Sequence, residues 1–231
     1  MEYLPDLERY TCIKYFILVN EPNYEVKDWN RWKVGLENVA GVFAQRGLDQ
    51  RLVLMGSDHS NAEHWHIQSV DQLQHLLGAY DIHRYESDSI VRTGRLEKYL
   101  RFQWEYALAE DSQAKEKCLV VGEAGLKDDA DTCSNRRIDS FEYGIFMADY
   151  AVQAARAGTT AISAWMLDDN SHPNFNWGMW TNKEKGLRLR SWFHPWSLLS
   201  RYFPKGSTIF RMEQPSPDWR LLVGTTPMGT S

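Results

Sequence analysis

No run of apolar residues in this chain approaches the roughly 20 that a membrane-spanning helix needs. The longest, Phe16-Ile17-Leu18-Val19 and Leu119-Val120-Val121, have the length of buried strands, and no membrane partner is expected. Cysteine is scarce: Cys12, Cys118 and Cys133 are odd in number and form no C-x-x-C pair, which excludes a disulfide framework. Cys12 and Cys118 precede strand-like runs and read as buried thiols. Basic clusters are missing too, and with a formal charge of −5 the chain offers no surface for nucleic acid, whose phosphates need concentrated Lys and Arg. No G-x-G-x-x-G or G-x-x-x-x-G-K-[ST] opens a helical segment, so nothing points to a nucleotide, and no cofactor is implied. The start, Met1-Glu2-Tyr3-Leu4-Pro5-Asp6, lacks the basic and apolar stretches of a secretory signal.

What is present is an ordinary globular composition, 43% hydrophobic and 25% charged over 231 residues, enough for one sizeable core. Ile13 to Val19 reads as a parallel strand covered on both faces. It ends in Asn20-Glu21-Pro22-Asn23, and a helix capped by Asp28 carries Leu36, Val39, Ala40 and Phe43 to a stop at Gly47. The βα pattern then repeats. Leu52–Met55 is followed by a helix over Asn61–Leu77 closed by Gly78, and Ala79–Tyr85 by a helix capped by Asp88. Cys118–Gly122 is followed by a helix from Asp139 to Gly158, and Thr160–Trp165 makes the fifth strand. A last helix runs from Pro195 to Tyr202, and Thr208–Phe210 and Leu221–Val223 read as short antiparallel strands.

Strict βα alternation means a parallel sheet, either doubly wound or a (β/α)8 barrel. The strand ends favour the barrel, because polar and aromatic groups gather there: Asn20 and Glu21, Ser57 and Asp58, His83 and Tyr85, Glu123, and Trp165 with Asp168 and Asp169. Two glutamates at the mouths of strands three apart suit hydrolysis of a glycosidic bond with retention, which needs an acid and a nucleophile about 5–5.5 Å apart. The acid of such a pair must keep its proton near neutral pH, and the nucleophile must be held ionised by hydrogen bonds; Tyr85 and His83 are placed to supply these. Ten Trp, eleven Tyr and nine Phe offer flat faces for sugar rings as well as core filling, and most are expected in the core.

On these residues the sequence resembles clan A of the glycoside hydrolases, the cellulase-like (β/α)8 enzymes. Val19-Asn20-Glu21-Pro22 matches the clan's motif after the fourth strand, and Val121-Gly122-Glu123-Ala124-Gly125 resembles the close of the seventh. The resemblance implies that Glu21 is the acid/base, Glu123 the nucleophile and Asn20 the binder of the sugar 2-hydroxyl. His83-Arg84-Tyr85 resembles the His-x-Tyr after the sixth strand, where the Tyr holds the nucleophile; Trp165 matches the Trp that floors the cleaved sugar's subsite. By that alignment the strands here are the fourth to the eighth, the first three are missing, and the clan's early Arg and its His before the acid/base motif have no counterpart. The implied architecture is a partial (β/α)8 TIM barrel over 1–206 with a short C-terminal β extension over 207–231. The implied activity is retaining hydrolysis of a β-linked poly- or oligosaccharide, with secretion expected of the full-length parent.

Other readings stand beside this one. The chain is alternatively a non-catalytic carbohydrate-binding or structural remnant of such an enzyme. A metallohydrolase built on His64 and His66 comes third, since a two-residue spacing on a helix points the pair to different faces. Asp58, Asp168 and Asp169 read as loop or cap carboxylates before they read as substrate contacts. Phe175, Trp177 and Trp180 line outer subsites or pack over the rim.

Overall fold

The computed structural model describes residues 12–130, 134–170, 175–216 and 218–227. Cys133, residues 171–174 of the Asn170–Asn182 loop, Pro217 and the stretch before Cys12 lie outside the described residues. Five strands, β1 (Tyr15–Phe16), β2 (Val53–Ser60), β3 (Leu77–Glu86), β4 (Leu119–Leu126) and β5 (Ala161–Ala164), form one sheet in the order β1-β2-β3-β4-β5. β1 with β2, β2 with β3 and β4 with β5 run parallel. An order that never reverses is what successive βα units of a barrel give, whereas a doubly wound sheet reverses at its switch point. The helices are α1 (Pro22–Glu25), α2 (Trp29–Gln45), α3 (Glu63–Leu73), α4 (Asp88–Arg92), α5 (Arg95–Glu110), α6 (Phe141–Ala157) and α7 (Phe193–Tyr202). A separate antiparallel pair, β6 (Thr208–Phe210) and β7 (Val223–Thr225), follows. The chain divides into two compact units, one comprising residues through His83 with Tyr106–Leu119, the other Arg84–Glu105 with the residues from Val120 onward.

In the first unit, Asp28 caps α2 as its sequence predicts, its Oδ1 accepting the Arg31 N–H at 3.1 Å. Trp32, Leu36 and Phe43 recur at helical spacing and bury one face of α2, and Gly47 at φ 66° turns the chain away. Trp65, Val70 and Leu73 of α3 are buried, as are Leu54, Ala79 and Ile82 of the strands. Three expectations fail here. The first strand is two residues long and open: Ile13 and Tyr15 are 44% and 43% exposed, because β1 is outermost in the sheet and pairs only with β2 among the described residues. Cys12 is accordingly exposed and Cys118 half-buried, neither a sealed thiol. The second helix stops at Leu73, and Gly78 is no helix stop: it lies inside β3, where a side chain would run into Val53.

In the second unit, Ser87 and Ser140, rather than Asp88 and Asp139, cap α4 and α6, accepting the N–H groups of Ile90 and Tyr143. Gly94 at φ 72° breaks what reads in sequence as one helix into α4 and α5. Tyr143, Met147, Tyr150 and Trp192 are buried, and the Tyr150 hydroxyl donates to the Arg84 carbonyl at 2.8 Å. β5 leaves Ala161 and Ser163 exposed, contrary to a strand covered on both faces, because it too is outermost in the sheet. Arg156 ties down the chain around β6 and β7: it pairs with Glu97 at 2.9 Å and donates to the carbonyls of Met212 and Leu221.

Candidate active site

Glu21 stands where the chain turns from β1 into α1. Pro22 fixes the first helical position, and Glu21 takes the left-handed conformation at φ 45°. Its carbonyl accepts the N–H groups of Tyr24 and Glu25 at 2.8 and 3.0 Å. Asn23 clamps this turn to the end of β2 by a reciprocal pair: its amide donates to the Ser60 carbonyl at 3.0 Å and accepts the Ser60 N–H at 2.9 Å. The Glu21 side chain is 22% exposed, and its Oε1 lies 3.1 Å from His83 Nδ1.

His83 is buried on β3 and engages a carboxylate at each ring nitrogen, Glu21 at Nδ1 and Asp58 at Nε2, the latter at 3.0 Å. Asp58 is the extra residue of a β-bulge: Ser57 pairs with Asp81 and His59 with Ile82, so β2 spends one more residue than β3. Its φ of 60° turns the buried carboxylate toward His83, and the second oxygen accepts the Glu21 N–H at 3.2 Å. His83 was expected to hold Glu123; the contact seen in this unit is with Glu21.

Glu123 also sits in an irregular strand. Val121 pairs with Ile162 and Ala124 with Ala164, so β4 spends one residue more than β5 across Gly122 and Glu123. The Tyr85 hydroxyl donates to Glu123 Oε2 at 2.7 Å, the contact expected of it. Gly125 makes room for that tyrosine, because a Cβ there would lie 2.9 and 3.0 Å from two Tyr85 ring atoms. Trp177 is buried edge-on to the Tyr85 ring, centroids 5.9 Å apart, so it supports the site from behind and is unavailable as an outer sugar subsite.

Of the remaining expected residues, Asn20 presents an exposed side chain next to Glu21. Trp165 follows β5 half-buried, its N–H bonded to the Ala124 carbonyl at 3.0 Å, which ties it to the strand bearing Glu123. Asp169 is buried in a two-pronged ion pair with Arg190 at 2.8 and 2.9 Å and also accepts the Gly178 N–H, the structural role its loop position suggested. Burial pushes its carboxyl up, but Arg190 and that N–H outweigh burial and hold it below the usual range. Trp180 packs on Phe193. Asp58, read in the sequence first as a loop or cap carboxylate, and Asn23 and Gly125, which stand within the quoted motif stretches without a role, prove to shape the surroundings of the two glutamates.

For a metal, the nearest approach in the first unit is Asp58, Asp81 and His83, all buried, with one ligand atom each within 4.8 Å of the others. His64 and His66 do not form a pair: His64 is exposed and His66 is buried edge-on to Tyr80, as expected for opposite helix faces.

No family model matches the chain, and no curated protein matches its sequence. Solved structures do. A GH39 beta-xylosidase from Caulobacter crescentus aligns with TM-score 0.62 at 15% identity, over 86% of this chain and 45% of its own. An alpha-L-arabinofuranosidase from Thermotoga maritima, in complex with arabinose, aligns with TM-score 0.62 at 12% identity, over 92% and 46%. A GH51 arabinofuranosidase from Xanthomonas axonopodis pv. citri aligns with TM-score 0.56 at 15% identity, over 93% and 45%. At such identities the likeness is one of fold. The chain shares with these structures a partial (β/α)8 architecture, with a small antiparallel pair after it, and spans about half the length of the structures it matches.

Proposed function

We propose that the chain carries the catalytic carboxylates of a retaining glycoside hydrolase acting on β-linked poly- or oligosaccharides. Glu123 is the nucleophile and Glu21 the acid/base, with Asn20 at the sugar 2-hydroxyl and Trp165 under the ring. In the first step a Glu123 oxygen bonds to the anomeric carbon as the bond to the leaving oxygen breaks, and Glu21 gives that oxygen its proton. In the second, Glu21 takes a proton from water, whose oxygen displaces Glu123 and releases the sugar. The observation carrying this reading is that residues two apart on β3 each hold one of the two glutamates: His83 bonds Glu21 and Tyr85 bonds Glu123. Two separate strand-end carboxylates, each already positioned, are what double displacement requires. The neighbours in fold are named for xyloside and arabinofuranoside cleavage, so aryl β-xylosides and aryl α-L-arabinofuranosides are the first substrates to try beside longer β-glycans.

A 2-deoxy-2-fluoro glycosyl fluoride tests the mechanism directly, because it traps the covalent intermediate. The expected result is a gain of one fluorosugar on the peptide containing Glu123, abolished in Glu123→Ala. One observation favours a second reading, a non-catalytic carbohydrate-binding or structural remnant: the chain spans only 45–46% of those enzymes. A remnant would take no label, and binding of xylan or arabinan without turnover would select it.

A further inference from the structure

We propose that Asp58 is a positioning residue that fixes the His83 proton on Nε2, leaving Nδ1 to share the catalytic proton with Glu21. This rests on the reading of Glu21 as the acid/base. Donor counting leads to it. A neutral imidazole has one N–H and one acceptor nitrogen, yet both nitrogens of His83 face carboxylate oxygens, at 3.1 Å to Glu21 and 3.0 Å to Asp58. One proton must therefore lie on each contact. Asp58 is the buried partner and already accepts the Glu21 N–H, which suits an ionised carboxylate, so its contact to His83 is Nε2–H donating to Oδ1. The proton on the other contact lies between Nδ1 and Glu21 Oε1, and it is the one an acid/base residue gives to the leaving oxygen and takes back from water. The aspartate of a Ser-His-Asp triad holds its imidazole by the same logic. Asp81 adds a second buried carboxyl group, one oxygen within 4.8 Å of the Asp58 and His83 ligand atoms.

The backbone is bent to make this contact. Asp58 occupies the extra position of the β2 bulge at φ 60°, a conformation that glycine adopts most readily. Asparagine tolerates that conformation as aspartate does, so Asp58→Asn keeps the backbone shape, removes the charge and replaces one of the two acceptor oxygens by an amide donor.

The test combines nitrogen NMR with kinetics. In histidine-labelled protein, the His83 signals, assigned by their loss in His83→Gln, should show a bonded proton on Nε2. In Asp58→Asn that proton should leave Nε2 or exchange at least tenfold faster. Unchanged His83 signals in a folded Asp58→Asn protein overturn the proposal, as does one equivalent of metal bound at Nε2 in the purified protein. With aryl glycosides, Asp58→Asn should lower kcat about 10²-fold for poor leaving groups, with KM little moved, and at least tenfold less for a dinitrophenyl leaving group that needs no acid. Equal losses on both substrates sever Asp58 from the acid proton and overturn the proposal. A protein that hydrolyses no glycoside fails the proposed function, and the NMR result then judges Asp58 alone.

Discussion

The Tyr85 hydroxyl reaches Glu123 at 2.7 Å only because residue 125 has no side chain, since a Cβ at Gly125 would press on the tyrosine ring at 2.9 Å. A hydrogen bond to a carboxylate is worth about 1.5–3 kcal/mol. Tyr85→Phe should therefore slow formation of the fluorosugar adduct on Glu123 roughly 10- to 100-fold. Gly125→Ala should produce a loss of the same order by displacing the ring while leaving the hydroxyl intact. Pre-steady-state mass spectrometry of the adduct measures both, and wild-type rates in both variants would show that the contact does not serve the nucleophile.

Asp169 and Arg190 form the buried clamp of the loop after β5, and Arg190 also donates to the Gly178 carbonyl at 2.7 Å. Removing one member of a buried pair strands the other charge. Arg190→Met should destabilise the protein by about 3–5 kcal/mol, read as urea midpoint at constant slope. The double variant Arg190→Met with Asp169→Leu should recover part of that loss, because no charge is then left unpaired.

Much of the frame was legible in the sequence, because caps and glycine stops act locally: Asp28, Gly47 and Gly158 stand where their chemistry predicts. The glutamates were legible as strand ends. The strand irregularities at Asp58 and across Gly122 and Glu123 were not, because a bulge is a relation between two strands and leaves no mark on either alone. For the same reason Asp58 read as an ordinary loop carboxylate. The apolar run from Ile13 to Val19 misled because strand propensity cannot say whether a neighbour exists on both sides; among the described residues β1 has one, and the run shortens to two residues.

Asp111 predicts an acid limb in stability. Burial raises its carboxyl, but Lys117 at 2.7 Å, the Tyr80 hydroxyl at 2.6 Å and the Gln113 N–H outweigh burial and hold it below the usual carboxylate range. A group depressed on folding contributes stability that is fully present above its unfolded pKa, near 3.9, and is lost as pH falls through the lower folded value. Lys117→Met should thus lower the melting temperature near neutral pH and lessen its fall below about pH 4. Melting curves from pH 2.5 to 7 check this, and parallel curves for variant and wild type would remove Asp111 from the acid limb.

Glu21 as acid/base has a consequence that no merely structural carboxylate shares. Glu21→Ala should retain formation of the Glu123 adduct from a dinitrophenyl glycoside, which needs no acid, and then stall because water has no base. Azide needs no deprotonation and fits the space of the lost carboxylate, so it should restore turnover and release a glycosyl azide of the same anomeric configuration as the substrate. Proton NMR of the product reads that configuration. An inverted azide would assign the attack to Glu21's own position and exchange the two roles; no rescue in a folded variant that still forms the adduct would remove Glu21 from the second step.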